Sequence, residues 1–507
     1  MSQLFQRKPI AALVSDTEGS KGLKRTLRAG DLIMLAIGAI GAVIGAGIFG
    51  AIGTAAAGQI GPHGEVIRTG AGPALIFSFL LSAGACALAG LCYAELASMI
   101  PQAGSAYAYS YATLGEIVAW IIGWDLILEY AVGNVAVAIS WGDYFNTLLR
   151  GFGVTLPYWI STGYRRALLS ADPQLHGMIG TAPHIAGIPI LVDLPAFAIV
   201  MLITWLLLRG ARESATANNI MVAIKLVVLS LFVVVGATHL KAANYHPFAP
   251  NGFTPNGFTG IHQGAAIVFF AYIGFDAIST AAEETLNPQR NLPIGILGGL
   301  GICTVIYMIV GAVLTGMVPY KELAVADPLA RALELTGFKA VGWIVALGAT
   351  VSMSAVLLVF QYGQPRIFFA MARDGLLPQW AAKIHPRTRI PWATTLLTGI
   401  FVALWSLVGD DAETYDLTNI GTLFAFILVS LGVLVLRYKE PERHRPFRVP
   451  LVWPVSVLSA AGCLFLMKGL PDAAWERFGF WLVIGLALYF AYGYKHSGLR
   501  RSGIPLK

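Results

Sequence analysis

Ionisable side chains stranded in long apolar runs are the residues of this 507-residue sequence from which chemistry is to be expected. Lys225 stands near the middle of one such run. A charge at that depth of a bilayer costs about 2.5–3.5 kcal/mol, and burial disfavours the ammonium form, so this lysine can exchange a proton. The plainer alternative is a static tether to carbonyls freed from a neighbouring helix. Asp125 and Glu129 are four residues apart and share one helical face. Glu129 can meet a substrate ammonium or set the state of a nearby group, whereas Asp125, nearer the cytoplasm, reads as structural. Asp276 is a candidate gate or coupling residue. Glu95, Glu283 and Glu284 fall near span ends, where a solvated role is expected.

The second chemical signal is backbone. Gly45, Gly47 and Gly50 spell G-x-G-x-x-G. A dinucleotide fingerprint needs a short strand and a soluble βαβ unit around it. Here no charge occurs between Asp31 and Glu65, and the apolar run is too long for a strand. Within a membrane such glycines either let helices approach closely or mark a helix that unwinds. Unwinding frees N–H groups and offers the positive end of the half-helix beyond, which suits a carboxylate. The second reading is favoured because Phe269-Phe270-Ala271-Tyr272-Ile273-Gly274-Phe275-Asp276 interrupts another apolar run in the corresponding place. Paired interruptions of this kind point to a transporter site. Taken singly, Phe269, Phe270 and Phe275 read equally well as core or lipid contacts.

The elements that position these residues follow from composition. The chain is 56% hydrophobic and only 12% charged, about half the charge of a soluble domain, so most of its surface faces lipid. Apolar runs long enough to cross a bilayer as helices predict twelve spans, at about 32–57, 73–98, 115–148, 190–208, 213–238, 260–285, 292–318, 340–371, 391–408, 413–437, 450–469 and 474–494. Of the 34 Lys and Arg, 23 fall in segments on one side of this arrangement, 10 on the other, and Lys225 within a span. Excess positive charge marks the cytoplasmic side, so both termini are expected there, in a plasma membrane of bacterial cytoplasmic type. The same bias accounts for the net charge of +7 without a nucleic-acid partner. The polar first thirty residues lack the apolar core of a cleavable signal peptide, so the first span is expected to remain as an anchor. In the long segment 149–189 a short helix is expected around Tyr164–Leu169.

Other function classes find little support. No Walker A pattern, G-x-x-x-x-G-K-[ST], is present for a primary pump, and no repeated filter motif points to a channel. The nine histidines lie outside mid-span positions, none in H-E-x-x-H spacing, and the four cysteines all fall in apolar runs. Neither a metal, a cofactor nor an enzyme is expected, and the cysteines read as buried small hydrophobes.

The sequence resembles the cationic amino acid transporter family of the amino acid–polyamine–organocation superfamily over nearly its whole length. The resemblance rests on Gly45-Ala46-Gly47-Ile48-Phe49, on Ala89-Gly90-Leu91-Cys92-Tyr93-Ala94-Glu95-Leu96 with Pro101-Gln102-Ala103-Gly104-Ser105-Ala106-Tyr107, and on Gly123-Trp124-Asp125-Leu126-Ile127-Leu128-Glu129-Tyr130. Phe275-Asp276 with Ala282-Glu283-Glu284, and Pro365-Arg366 with Ala370-Met371-Ala372-Arg373-Asp374-Gly375-Leu376-Leu377, complete it.

The resemblance implies an all-α integral membrane protein with a LeuT-like five-plus-five inverted repeat and discontinuous spans 1 and 6. The domains are then a cytoplasmic segment 1–31, repeats 32–238 and 260–437, spans 11 and 12 over 450–494, and a cytoplasmic tail 495–507. It implies an α-amino acid held by Ile44, Gly45, Ala46, Gly47 and Ile48 of span 1 and by Phe270, Ala271 and Ile273 of span 6. Phe270 serves as an aromatic gate and Phe360 of span 8 as a pocket wall. Lys225 takes the place where sodium-coupled relatives hold an ion, with Glu129 and Asp276 in proton coupling or gating. The expected activity is proton-coupled, sodium-independent transport of L-amino acids. Phe360, where family members taking long cationic side chains look smaller, points to neutral cargo of small to moderate size. A cationic amino acid exchanger and a non-transporting sensor remain open, as does a small membrane subunit. The loop Gly58–Gly72 is longer than the family pattern, and its role is not evident from sequence.

Overall fold

The computed structural model describes residues 4–10, 45–100, 105–170, 172–210, 215–252, 258–275, 286–386 and 390–501. The long helices are α1 (Gly47–Ala57), α2 (Leu75–Met99), α3 (Glu116–Gly151), α4 (Leu194–Leu208), α5 (Ala215–Ala237), α6 (Thr259–Val268), α7 (Pro288–Met317), α8 (Lys339–Arg373), α9 (Trp392–Val408), α10 (Asp411–Lys439), α11 (Val452–Met467) and α12 (Asp472–Leu488). Each expected span thus contains helix. Seven of these stretches are long and apolar enough to cross a membrane, and α1, α4, α9 and α11 are shorter apolar helices. In hydrocarbon every backbone polar group must be satisfied within its own segment, which is why apolar sequence of this length is helical.

Burial separates centre from rim. The most apolar window of α3 is 89% buried, that of α12 only 22%. Large apolar side chains such as Val227, Val234, Phe480 and Val483 are left exposed on α5 and α12, the pattern of a surface bathed in lipid. α3 runs between α8 and α10; α2 packs on α7 and on α6, and α4 on α9.

The segment Gly58–Gly72 forms an antiparallel hairpin, β1 (Gly58–Ile60) with β2 (Val66–Thr69). Arg68, 3% exposed, reaches from it to Asp416 of α10 at 2.5 Å, and its Nε donates to Gln59 Oε1 at 3.1 Å. Thr69 donates through its N–H (2.7 Å) and hydroxyl (2.8 Å) to Gln263 Oε1 on α6. The hairpin therefore clasps α6 and α10 together beside the end of α1. The segment after α3 contains the expected helix Tyr164–Leu169 and a second, Pro173–Thr181. Arg165 grips Glu413 bidentately at 2.7 Å, and Arg166 holds Asp143 at 2.6 Å.

The opposite face is knotted by carboxylates. Glu95 is 1% exposed, which corrects the expectation of a solvated side chain. It accepts from Arg437 (2.8 and 2.7 Å) and from the Val449 N–H (2.7 Å), and Arg445 lies 3.3 Å away. A buried carboxylate needs such partners; apolar neighbours in sequence do not reveal them. Glu283 and Glu284 lie outside the described residues. Glu116, fully buried, accepts from Tyr111 (3.1 Å), Tyr489 (2.8 Å) and Ser497 and pairs with Arg500 at 3.2 Å. All four cysteines are buried and free.

Candidate functional site

The two interruptions meet. Before α6 can continue, a tight 3-10 turn occupies Phe269–Tyr272, Ile273 is extended (φ −60°, ψ 140°) and Gly274 takes φ +107°, a torsion that side chains other than glycine rarely adopt. Helical hydrogen bonding cannot pass through these two residues, so span 6 is broken there. On the facing strand of chain, α1 opens with a π turn, Gly47–Ala51. Ala46 already has helical torsions (φ −58°, ψ −24°), and the Phe49 N–H donates to Gly45 O at 2.9 Å. The backbone is thus helical from Ala46 onward, and the expected opening across Gly45–Gly47 takes the narrower form of a widened turn. Ile44 and Asp276 lie outside the described residues.

Gly47 is the point of contact. A Cβ placed on it would lie 2.6 Å from Ala271 Cα and 2.8 Å from Ala271 Cβ. The backbones of α1 and of the 269–272 turn are therefore in van der Waals contact, which only glycine at 47 permits. Ile48, Phe270, Ala271 and Ile273 are all buried around this seam.

Polar groups of α3 and α10 surround the seam. Tyr144 donates to Phe49 O at 2.7 Å, occupying a carbonyl inside the π turn. Tyr415 and Ser140 share a 2.6 Å hydrogen bond against Gly50, and the Tyr415 hydroxyl also reaches Ala46 O at 3.5 Å. The Tyr415 ring stands edge-on to Phe270, with centroids 4.8 Å apart. Asn419 donates to Ala266 O (2.8 Å) and Ile267 O (3.1 Å), carbonyls released where α6 ends. Phe269 and Phe275 instead pack with Phe426, and Phe275 with Tyr93, as core. Phe270 is the one of the three that fronts the seam's polar groups.

The remaining predicted residues are dispersed around this centre. Phe360 of α8 packs on Tyr130 (5.4 Å between centroids) and on Gly133 of α3, where Thr418 of α10 also touches. Thr418 belongs to α10, whose Tyr415 meets Phe270. Glu129 on α3 and Lys225 on α5 are 3% and 2% exposed, and both are engaged rather than free. Lys225 lies within electrostatic reach of Cys303 on α7. Among the described residues no cluster of His, Cys, Asp or Glu could hold a metal ion.

Tyr144, Ser140, Tyr415 and Asn419 were not singled out by sequence. Their one signal is that each is a polar side chain within an apolar helix, which is common enough in such helices to pass unnoticed.

Outside the spans, Asp410 precedes α10 and caps it, accepting from the Glu413 N–H at 2.9 Å. Burial, with Asp411 adding repulsion, pushes its carboxyl up to about 7.

A profile of amino acid permeases matches residues 31–488. The chain is 44% identical to a methylthioribose transporter of Bacillus subtilis, over 99% of this chain and 100% of the relative. It is 44% identical to the branched-chain amino acid permease BcaP of the same organism, over 98% and 99%. With the vacuolar cationic amino acid transporter 4 of Arabidopsis thaliana it shares 37%, over 87% of this chain and 68% of the relative. A mostly helical chain with many apolar helices, a broken helix packed on a π turn and matches of this extent belongs to the amino acid permease family of the amino acid–polyamine–organocation superfamily, and is a multi-pass membrane protein.

Proposed function

We propose that this protein is a secondary transporter that carries small to moderate neutral L-amino acids by alternating access, coupled to protons and independent of sodium. The observation that carries the reading is the contact of Gly47 with Ala271. It joins two irregular backbone segments in the interior; irregular backbone at membrane depth is tolerated only where it is buried in protein or lines a cavity, and paired interruptions of spans point to a transporter's binding site. The substrate carboxylate then meets backbone at Gly45–Gly47, with Ile44 and Ile48 beside it. Phe270, Ala271 and Ile273 enclose the other side, and Phe360 limits side-chain length. The pairing of α2 with α7, α3 with α8 and α4 with α9 supports the repeats 32–238 and 260–437 and a twelve-span arrangement. Both termini face the cytoplasm in this arrangement, in the plasma membrane.

Coupling falls to Lys225, with Glu129 and Asp276 as partners in gating. An ammonium at Lys225 repels a metal cation from that place, and a lysine can take up and release a proton. The neutral preference rests on Phe360: a guanidinium or ammonium beside it loses hydration, and a cation–π contact returns only about 0.5–2 kcal/mol. The BcaP name, a branched-chain permease, agrees with neutral cargo. The cationic transporter and methylthioribose names define the competitors to be tested.

The experiment is uptake of labelled alanine by purified protein in liposomes, with and without a pH gradient, without sodium. Neutral amino acids should compete better than arginine and lysine, and alanine methyl ester and methylthioribose, which lack a carboxylate, should compete poorly. Lys225→Ala should abolish the response to pH. A sodium requirement, equal competition by the ester, or stronger competition by arginine each refutes the corresponding part. Binding without uptake marks a sensor.

A further inference from the structure

Asp125 sits on α3 one helical turn before Glu129, fully buried, and neither of its carboxyl oxygens has a hydrogen-bond partner among the described residues. Its Oδ1 rests on Gly421 of α10, where a Cβ would come within 2.5 Å of it. The missing side chain at 421 is what makes room for the carboxyl between the two helices.

No charge faces it among the described residues of the elements packed on α3. On α10, Asp416 is taken by Arg68, Arg437 by Glu95, and Asp411 and Glu413 stand at the far end. On α8, Lys339 and Arg373 are at the ends, and Arg366, although near the level of Asp125, is exposed and stacks on the Tyr362 ring. The short helix Ser105–Thr113 brings Tyr107, bound to Asp374, and Tyr111, bound to Glu116, besides Tyr109. On α12, Asp472, Glu476 and Arg477 are at the end remote from Glu116, whose partner is Tyr489. α4 and α9 contain no ionisable residue. On α3 itself Glu129 is the neighbour, one turn on.

A lone carboxylate in such a place neutralises rather than remain charged. A carboxylate at Asp125 has no hydrogen-bond partner among the described residues. A neutral acid that forms no bond adds nothing to stability, so packing does not explain it; an ionisable group inside a membrane protein marks an ion or proton path. Nine residues separate it from Glu116, roughly 13 Å along the helix at 1.5 Å per residue, close enough to the inner face to be wetted when the α3–α10 seam loosens.

We propose that Asp125 is a second titrating group on the path of the transported proton, acting in series with Lys225. It is loaded as the carboxylic acid while the seam is dry, and it becomes the carboxylate by giving the proton to water on the cytoplasmic side when the seam opens. This rests on the proton-coupled reading above.

The test uses the full chain in liposomes, wild type beside Asp125→Asn and Asp125→Glu. Wild type should accumulate labelled alanine under an inside-alkaline gradient, and Asp125→Asn should bring the accumulation ratio to one. Asp125→Glu, which keeps an acid, should restore accumulation at least in part. Infrared spectroscopy gives a readout independent of transport: at neutral pH wild type should show a carboxylic-acid C=O band that is lost in Asp125→Asn. A coupled wild type with an equally coupled Asp125→Asn overturns the assignment alone, as does an unchanged infrared band. A wild type indifferent to the gradient overturns proton coupling itself, whatever the variants do.

Discussion

Replacing Arg68 by alanine tests whether the β1–β2 hairpin is a structural rivet. Arg68 and Asp416 are only 2% and 7% exposed at their side chains and 2.5 Å apart. At about 4 Å and an effective dielectric of about 20, two unit charges attract by about 4 kcal/mol. Removing one partner of a buried pair leaves the other charge desolvated and typically costs about 3–5 kcal/mol. Arg68 also gives up its bond to Gln59 and the packing of its stem. Arg68→Ala should therefore destabilise the protein by about 3–5 kcal/mol, a factor of roughly two hundred to several thousand in the folded ratio. Arg68→Lys should recover only part, since an ammonium cannot bond Gln59 and Asp416 with one planar fork. The assay is a double-mutant cycle with Asp416→Asn, read by denaturant unfolding in detergent micelles. The double variant should be less destabilised than the sum of the two singles by at least about 1.5 kcal/mol. Additive effects, or a cost for Arg68→Ala below about 1 kcal/mol, would show that the pair behaves as an exposed one and refute the reasoning.

Three further outcomes follow from single sites. Gly47→Ala should lower uptake at least about tenfold, because its Cβ would overlap Ala271 backbone; normal uptake at normal expression means the two segments can separate freely. Asp410, raised in the fold towards 7, favours the folded state most below the ordinary carboxylate range of about 4 and loses that contribution as pH climbs to about 7. Hydrogen-exchange protection of the neighbouring Tyr164–Leu169 helix should accordingly fall between about pH 4 and 7. Asp410→Asn, which still caps α10, should flatten that dependence, and an unchanged slope assigns it elsewhere. Phe360→Ser should widen the range of competing amino acids towards longer side chains, and an unchanged range removes Phe360 from the pocket wall.

Lipid is a demanding solvent, and that is why so much of the architecture could be read from hydropathy. Each predicted span contains helix, and Tyr164–Leu169 is helical as expected. The break at Ile273–Gly274 was announced by its glycine. Partnerships were not legible. Arg68 and Asp416 are 348 residues apart, and nothing local to either reports the other. Glu95 looked like a side chain at a wet helix end until Arg437 and Val449 closed over it. The π turn at Gly47–Ala51 depends on a hydroxyl from Tyr144 on another helix, so glycine spacing alone pointed to the right place with a looser geometry. Asp125 appeared structural because sequence shows an acid but not which described side chains leave its carboxyl without a hydrogen bond.

The Glu116 knot has a consequence for biosynthesis. Tyr489 and Ser497 follow Glu116 by 373 and 381 residues, so a growing chain contains the carboxylate, with Tyr111 beside it, long before these later partners are made. Until they arrive Glu116 cannot be buried without loss, and this end of α3 must stay hydrated. Completion of the last helix is thus the event that seals the first half of the protein. A chain cut after Gly493 would retain every apolar helix named above and still lack Ser497 and Arg500. Such a product should be inserted yet fail to mature, a state in which quality-control proteases rather than the bilayer decide its fate.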